Sequence, residues 1–528
     1  MAGTALRSMD KGSHQFEYRR LFARNVIFSA GQWVVQFIAG LFMLGYVVSQ
    51  LGEEQWGLVV LGMSISTYLA LIQAGASVGI SKRLNESYTQ GDEPTFRSYY
   101  TFAILLCVVL SAIVIILTLL IVTYFWLEVG IPERYAQESK LVLIAFTAST
   151  VCSALSIPMI GCLQAIHRMD VNSKIQSWAV IVRAVATIGS FELSGPSALA
   201  YAVVFLATNI LPLLWLYWWG STNIPEARIT TGRLVHAQLI DLFSINGAAF
   251  CNTVSFVIFM QAPILLYREN LHFVGLYGIG LQISNMLRGI FFSPFSALTS
   301  VMVSLHTRDA RSNVRSWFAI TTKAYVAAAA MIWIWFHVFG PPALNLWIPS
   351  GVNVSTLTES LPYLLGATAL GIISLPSSAM EVALGHMYVT ASIGIVLALV
   401  LILSLVSFVS QEAEDLLTLV SVSVVIFFGL WELSKILRVA SQLQYKFLDG
   451  IINLLFWPSL PAVIVSLPMM AIQEAYHPDN AVKLTLITAG AGISFLALFF
   501  YAGLNGPERD GSRLLAKEFL GRSRKGAA

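Results

Sequence analysis

The sequence predicts an all-α integral membrane protein with about fourteen transmembrane helices, arranged as two six-helix parallel repeats that form two lobes around a central cavity, plus a C-terminal helix pair. Composition is the first observation behind this prediction. Of the 528 residues, 57% are hydrophobic and 11% are charged, against roughly a quarter charged in an average soluble domain. Long charge-free runs are the second observation, and an internal repeat is the third.

The charge-free runs are long enough to cross a bilayer, which takes about 20 apolar residues. Residues 28–52, 55–81 and 98–127 contain no Asp, Glu, Lys or Arg. The first run follows a polar, basic segment and has no small-residue cleavage site, so we expect a retained helix and not a signal peptide. The predicted helices lie near 24–50, 56–80, 98–126, 139–162, 174–192, 197–219, 239–267, 273–302, 317–340, 358–382, 388–410, 415–437, 450–473 and 482–504.

The distribution of positive charge predicts the orientation, because Lys and Arg collect in the cytoplasmic loops of membrane proteins. Only Arg134, Lys140, Arg268 and Lys483 fall on one side of the predicted helices, and acidic residues collect there. Most of the other Lys and Arg residues lie on the opposite side, together with both termini. We therefore expect a multi-pass protein of the cytoplasmic (inner) membrane with both termini in the cytoplasm.

The helix positions divide the chain into six predicted segments. These are a cytoplasmic N-terminal tail (1–23), an N-lobe (24–220), a cytoplasmic linker (221–238), a C-lobe (239–437), the extra helix pair (438–504) and a basic cytoplasmic tail (505–528). All the connecting loops are short, which leaves no room for a soluble catalytic domain. No catalytic residues are predicted.

Net charge and cysteine positions argue against nucleic-acid binding, a disulfide framework and a metal site. A net charge of +3 is too small to indicate nucleic acid as a partner. The cysteines, Cys107, Cys152, Cys162 and Cys251, all fall inside apolar runs. They therefore predict neither a disulfide framework nor a metal site.

An internal repeat relates the two sets of six helices. Residues that open the second helix recur at the start of the eighth at a constant offset of 218 residues, and Ser156-Ile157-Pro158 corresponds to Ser374-Leu375-Pro376 at the same offset. Six is an even number, so both halves enter the membrane in the same sense and should be related by an axis along the membrane normal. Rocking of two such lobes would give alternating access. The first matching residues are Gly57, Leu58, Gly62, Ile65 and Ser66, against Gly275, Leu276, Gly280, Ile283 and Ser284.

Several short segments resemble one transporter superfamily. Residues 51–58 (LGEEQWGL), 274–277 (VGLY) and 163–168 (LQAIHR) are similar to helix starts and exits of the multidrug/oligosaccharidyl-lipid/polysaccharide (MOP) exporter superfamily. Within it, the chain resembles the polysaccharide transporter family of O-antigen-type flippases, since fourteen helices suit that branch better than the twelve-helix drug exporters. The resemblance implies a flippase that moves a polyprenyl-pyrophosphate-linked oligosaccharide across the membrane. Membrane lipids and other polysaccharide-assembly proteins are further expected partners.

Buried arginines are the main candidates for binding such a substrate. Arginine presents five N–H groups in a fixed fork that suits pyrophosphate, and an arginine inside the membrane costs roughly 2.5–3.5 kcal/mol on insertion scales. We predict that Arg288, helped by Arg183 or by Arg24 at the inner end of the first helix, holds the pyrophosphate in the central cavity. Alternatively, each arginine pairs with a buried acid and fixes helix packing, the candidate acids being Asp241, Glu381 and Glu432.

Polar side chains on two helices are weaker candidates. Gln32 and Gln36 stand one turn apart in the first helix, where they would bind sugar hydroxyls or join helices through hydrogen bonds. Asp241, Asn246 and Asn252 could take a coupling Na⁺ or H⁺, although Asp241 also suits a helix cap. No other cofactor and no structural metal is expected.

Two other functions remain open at this point. A cation-coupled drug or metabolite exporter of the same superfamily would carry buried acids as its main intramembrane charges, whereas the deepest charges here are arginines. A membrane-embedded polysaccharide polymerase or ligase would need outward loops rich in catalytic groups. The predicted outward loops are short and mainly acidic.

Overall fold

The structure is a computed structural model that describes residues 11–125, 131, 133–230, 236–307, 311–348, 353–384, 387–408, 413–446, 450–476, 480–504, 506 and 509. Within these ranges, some side chains are outside the description, namely those of residues 11–27, 30, 74–78, 125, 236–246, 249, 293–307, 311–313, 413–414, 476 and 481. The described residues form helices and loops without any strand. The predicted all-α class is confirmed.

Each of the fourteen predicted helices has a counterpart. The first element, α1, covers two predicted helices as two arms that meet at Gly52, whose φ of 72° and ψ of 176° interrupt the helix. Glycine adopts this positive φ without a steric penalty. The elements are α1 (Lys11–Gln90), α2 (Glu93–Leu120), α3 (Ala136–Ala165), α4 (Met169–Ser194), α5 (Ala198–Asn223), α6 (His236–Leu266), α7 (Leu271–Thr307), α8 (Arg311–Trp347), α9 (Val354–Ile373), α10 (Leu375–Leu384), α11 (Met387–Val406), α12 (Ala413–Gln442), α13 (Trp457–Tyr476) and α14 (Ala481–Leu498).

Ten stretches of the described residues are long and apolar enough to cross a membrane by length and composition. The first of them, Gly31–Gln73, includes the bend at Gly52, and another, Val354–Leu384, joins α9 and α10. Helix α4 is not among the ten, because polar and charged side chains such as Lys174, Arg183 and Glu192 interrupt its apolar surface. A helix with this composition needs polar partners inside the membrane.

Two compact units can be distinguished by their internal contacts. Unit 1 comprises Met1–Pro294 with Gly394–Val409, and unit 2 comprises Phe295–Ile393 with Ser410–Ala528. In unit 1, α1 packs against α3, α4 and α6, and α3 packs against α5. These units are not the N-lobe and C-lobe that the sequence predicts, and the boundaries of those lobes stay a prediction.

The repeat-related glycines meet inside unit 1. A Cβ atom added to Gly57 would lie 2.3 Å from the carbonyl oxygen of Leu271, and one added to Gly275 would lie 2.3 Å from the carbonyl oxygen of Glu53. Glu53 and Leu271 are also 218 residues apart. The contact of Gly57 with Leu271 is therefore repeated by the contact of Gly275 with Glu53, with the roles of α1 and α7 exchanged. A close polar contact between His272 Nδ1 and the Glu53 carboxylate adds to this reciprocal contact. The sequence repeat is therefore matched by a local two-fold arrangement of backbone contacts.

Candidate functional site

A cavity of about 330 Å³ lies inside unit 1, among α1, α4, α5 and α7. We call it the Arg183 cavity. Its walls combine aromatic rings, methionines and a few polar side chains. The polar and aromatic lining residues are Trp33, Gln36, Phe37, Trp56, Arg183, Thr187, Tyr201, Phe205, Gln282 and Asn285.

Arg183 supplies the charge of this cavity. Its Nε atom donates a hydrogen bond to Thr208 Oγ1 at 3.0 Å, and its guanidinium carbon lies 4.1 Å from the ring centroid of Phe205. No carboxylate of the described residues forms an ion pair with Arg183, and none of the residues that line the cavity is acidic. Positive charge inside a membrane is costly without a negative partner. The cavity therefore favours an anion.

Two buried donors at the cavity wall have no hydrogen-bond acceptor in the described structure. Trp56 is 2% exposed and Thr187 is 0% exposed, and neither Trp56 Nε1 nor Thr187 Oγ1 has a partner there. A buried donor left unsatisfied costs about 1–3 kcal/mol. A ligand that brings acceptor oxygens into the cavity would remove that cost, so these groups suit an oxygen-rich anion.

A second cavity of about 340 Å³ adjoins the first, and Met63, Phe205, Gln282 and Asn285 line both. We call it the hydroxyl compartment, because hydroxyl and amide side chains make up most of its wall. They are Ser64, Ser66, Thr67, Ser149, Thr150, Ser153, Asn209, Gln261, Gln282 and Asn285.

The hydroxyls of this compartment use their protons within the protein. Ser149, Thr150 and Ser153 donate to backbone carbonyls four residues earlier, at 3.0–3.1 Å, and Ser64 donates to Gln261 Oε1 at 2.5 Å. A hydroxyl that has donated its proton keeps its oxygen lone pairs as acceptors. The compartment thus offers acceptors to a ligand that carries O–H or N–H donors, such as a polyhydroxylated molecule.

The structure brings together only some of the residues predicted for the site. Arg183 and Gln36 line the same cavity. Arg288 does not line either cavity, and its guanidinium carbon lies 3.8 Å from the ring centroid of Phe256 in α6. Gln32 is also absent from the lining of both cavities.

The predicted ion-binding residues are described only in part. Asn252 lies in α6, with its Oδ1 atom buried and without a hydrogen-bond partner among the described residues. The side chains of Arg24, Asp241 and Asn246 lie outside the described part of the structure. The substrate and ion roles of all these residues stay predictions.

Sequence reasoning missed Trp56, Thr187, Gln282 and Asn285. Two of them follow another polar residue of the cavity at helical spacing: Thr187 stands one turn after Arg183, and Asn285 stands three residues after Gln282. Residues three or four apart share a helix face. Thr187 therefore lies on the same face of α4 as Arg183, and Asn285 lies on the same face of α7 as Gln282.

Unit 2 holds a separate group of buried charges. Lys435 Nζ lies 2.8 Å from Glu432 Oε2, and Ser374 donates a hydrogen bond to the same carboxylate. Thr390 Oγ1 donates to Glu381 Oε2 at 3.0 Å. The alternative in which Glu432 neutralises one of the two membrane arginines is therefore wrong, because Lys435, one turn away on α12, is its ion-pair partner.

We expect Lys435→Met to destabilise the protein by about 3–5 kcal/mol, since it leaves the buried Glu432 carboxylate without its counter-ion. The double variant Glu432→Gln/Lys435→Met should recover most of that loss, because it removes both charges. Reversible unfolding of both variants in detergent micelles measures the two effects. Equal destabilisation in the single and double variants would contradict the ion pair as the cause.

No protein-family model matches the chain, and no curated protein matches it in sequence. Solved structures do match its fold. An inward-facing multidrug resistance MATE family transporter of the MOP superfamily aligns with a TM-score of 0.62 and 14% identity, over 80% of this chain and 94% of that one. A MOP superfamily transporter from Pyrococcus furiosus aligns with a TM-score of 0.63 and 16% identity, over 82% of this chain and 95% of that one.

A eukaryotic MATE transporter aligns with a TM-score of 0.58 and 13% identity, over 84% of this chain and 99% of that one. At these identities the likeness shows the fold alone. The chain has the fold of the MATE transporters of the MOP superfamily, which confirms the expected fold. Membership of the O-antigen-type flippase family stays a prediction.

Proposed function

We propose that this chain is an alternating-access membrane transporter that exports a small, hydroxylated organic anion through the Arg183 cavity. The observation that carries the proposal is the charge of that cavity, where Arg183 has no acidic partner among the described residues and no lining residue is acidic. The fold, shared with MATE transporters, supports the transporter class. The metabolite-exporter alternative therefore receives more support than the flippase, although its cargo would be anionic.

Electrostatics argue against a cationic cargo. A unit positive charge about 5 Å from Arg183 would be repelled by roughly 3 kcal/mol at an effective dielectric constant of about 20. That repulsion corresponds to a loss of affinity of roughly 100-fold. The Pyrococcus furiosus transporter is described as having a binding pocket of reverse polarity, which suggests a different function for it. It supports the idea that pockets of this fold differ in charge and in cargo.

Cavity size favours a small cargo. The two adjoining cavities measure about 330 Å³ and 340 Å³, and sites for small molecules range from about 300 to 1,000 Å³. The aromatic rings of Trp33, Tyr201 and Phe205 provide an apolar surface beside the charge. An anion with one or two ring-sized groups would fit this space.

A second candidate is the lipid-linked oligosaccharide flippase that the family resemblance implies. The hydroxyl compartment favours it, because a sugar could bind there while its pyrophosphate binds Arg183. The proposed setting would be the cytoplasmic membrane, with both termini in the cytoplasm and polysaccharide-assembly proteins as partners. Coupling to Na⁺ or H⁺ is part of either proposal.

Transport by the purified protein in liposomes tests the proposal. We expect the protein to move a sugar phosphate faster than an organic cation of similar size, such as tetraphenylphosphonium, and imposed Na⁺ and H⁺ gradients would identify the coupling ion. A parallel assay measures leaflet exchange of a fluorescent lipid-pyrophosphate-sugar. Leaflet exchange without transport of the soluble anion would support the flippase instead, and transport of the cation alone would contradict both candidates.

A further inference from the structure

An apolar groove runs along the outside of unit 1, between α4 and α5. It measures about 460 Å³, and all of its lining residues are apolar. The floor is formed by buried side chains, whereas the walls are formed by exposed ones, Trp178 being 57% and Trp218 65% exposed. The lining residues are Ile175, Trp178, Ala179, Val182, Leu211, Pro212, Leu214, Trp215 and Trp218.

Two features of sequence explain why a groove forms here. Ala179 places a small side chain between the bulkier Ile175 and Val182 on α4, which deepens the floor. On α5, Pro212 lacks a backbone N–H and interrupts the hydrogen-bond pattern of the helix. Ile175 and Val182 lie roughly 10 Å apart along α4 at 1.5 Å per residue, so the groove spans about two turns of this helix.

Helix α4 separates this groove from the Arg183 cavity. Its residues Val180, Arg183, Ala184 and Thr187 line the cavity, while Ile175, Trp178, Ala179 and Val182 on the other side line the groove. The cavity is polar and charged, whereas the groove carries no polar side chain. The lining of the groove therefore suits an apolar group and not the charged cargo proposed for the cavity.

One end of the groove carries positive charge. Lys174 is exposed and stands one turn before Trp178 on α4, at the edge of the groove, and its Nζ atom is 4.8 Å from the ring centroid of Phe28 on α1. Arg168 precedes α4, with its guanidinium carbon 5.4 Å from the ring of Trp219, but its Nε atom lies 3.0 Å from Asp170 Oδ1, so Lys174 is the cation left to a headgroup at this end. This is the end that the charge distribution predicts to be cytoplasmic. Basic side chains at that membrane surface attract anionic lipid headgroups by about 1 kcal/mol each.

We propose that the α4–α5 groove binds one anionic phospholipid of the inner leaflet, with an acyl chain between Trp178 and Trp218 and the phosphate beside Lys174. The apolar lining selects a hydrocarbon chain, and the adjacent cation selects a negatively charged headgroup. Trp215 and Trp218 then have a second role besides that of an aromatic belt at the interface.

Native mass spectrometry of the full-length, detergent-purified protein tests this site with phosphatidylglycerol, phosphatidylcholine and undecaprenyl pyrophosphate as probes. We expect retention of phosphatidylglycerol in preference to phosphatidylcholine. Lys174→Gln should lower that retention about fivefold, and Lys174→Gln/Trp178→Ala about tenfold or more. The matched controls are Lys82→Gln and Trp457→Ala, since both residues are exposed and lie elsewhere.

Equal retention of the two phospholipids, or equal loss in the controls, would overturn the proposal. Stronger retention of undecaprenyl pyrophosphate than of phosphatidylglycerol would also overturn it and would indicate a carrier-lipid site. Should Trp178→Ala fail to fold, Trp178→Phe supplies a second measurement. The difference in fluorescence between the unmodified protein and this variant is the contribution of Trp178. Brominated phosphatidylglycerol should quench that contribution more than brominated phosphatidylcholine does. Equal quenching by the two lipids would count against the site.

Discussion

Arg183→Gln is expected to lower transport of the anionic cargo roughly 30-fold or more. Removing one partner of a desolvated charge pair costs about 2–5 kcal/mol, and tenfold in affinity corresponds to about 1.4 kcal/mol. Arg183→Lys should retain part of the activity, because it keeps the charge but loses the fork that binds Thr208 and stacks on Phe205. Initial rates of anion uptake into proteoliposomes measure these effects.

The control for this prediction is Arg228→Gln, which makes the same change at an exposed loop position in unit 1. Its uptake rate should match that of the unmodified protein. A full rate in Arg183→Gln, at equal amounts of folded protein, would rule out Arg183 as the anion-binding residue. Equal loss in the two variants would indicate a general effect of net charge instead.

Gly57→Ala is expected to destabilise the protein by about 1–3 kcal/mol. Its added methyl group would lie 2.3 Å from the backbone oxygen of Leu271, so α1 and α7 would have to separate, and overpacking of this kind typically has that cost. The same reasoning applies to Gly275→Ala, which meets the backbone oxygen of Glu53. Thermal unfolding in detergent micelles measures both variants.

Gly189→Ala is the matched control, because a Cβ atom at Gly189 in α4 has no neighbour within 4 Å. Alanine is a better helix former than glycine by roughly 0.5–1 kcal/mol, so this control should be neutral or stabilising. Destabilisation by Gly57→Ala together with stabilisation by Gly189→Ala would therefore support the close contact between α1 and α7. Stabilisation by Gly57→Ala would show that the two backbones are not in contact.

The helices could be predicted because a membrane span has a simple requirement, a long apolar stretch that satisfies its own backbone hydrogen bonds. Even the bend between the first two helices coincides with a recognisable glycine, Gly52. The repeat was also visible, since Gly57 and Gly275 must both be glycine for α1 and α7 to approach so closely. The lobe boundaries stay a prediction.

The site was harder to predict, because depth in the membrane does not determine which way a side chain faces. Arg288 lies deep in α7, yet it stacks on Phe256 of the neighbouring helix α6, whereas Gln282 and Asn285 on the same helix line the cavity. That difference depends on how α6 packs beside α7. Long-range packing of this kind is not encoded in the periodicity of a single helix.

Likewise, the partners of buried charges could not be assigned from residue type. Glu432 was a plausible counter-ion for either arginine, but Lys435 on the same helix is close enough to pair with it. Among the described residues, Arg183 lies beside the hydroxyl of Thr208 and the ring of Phe205, and no carboxylate pairs with it. This arrangement underlies the proposed preference for anions.

The most direct test of the central claim is an equilibrium binding measurement with a matched pair of ligands, one aromatic scaffold carrying either a sulfonate or a trimethylammonium group. The unmodified protein should bind the sulfonate more tightly, and Arg183→Glu should reverse that order, since the cavity would then carry a negative charge. Tighter binding of the trimethylammonium ligand by the unmodified protein would contradict the proposal that the Arg183 cavity serves an anionic cargo.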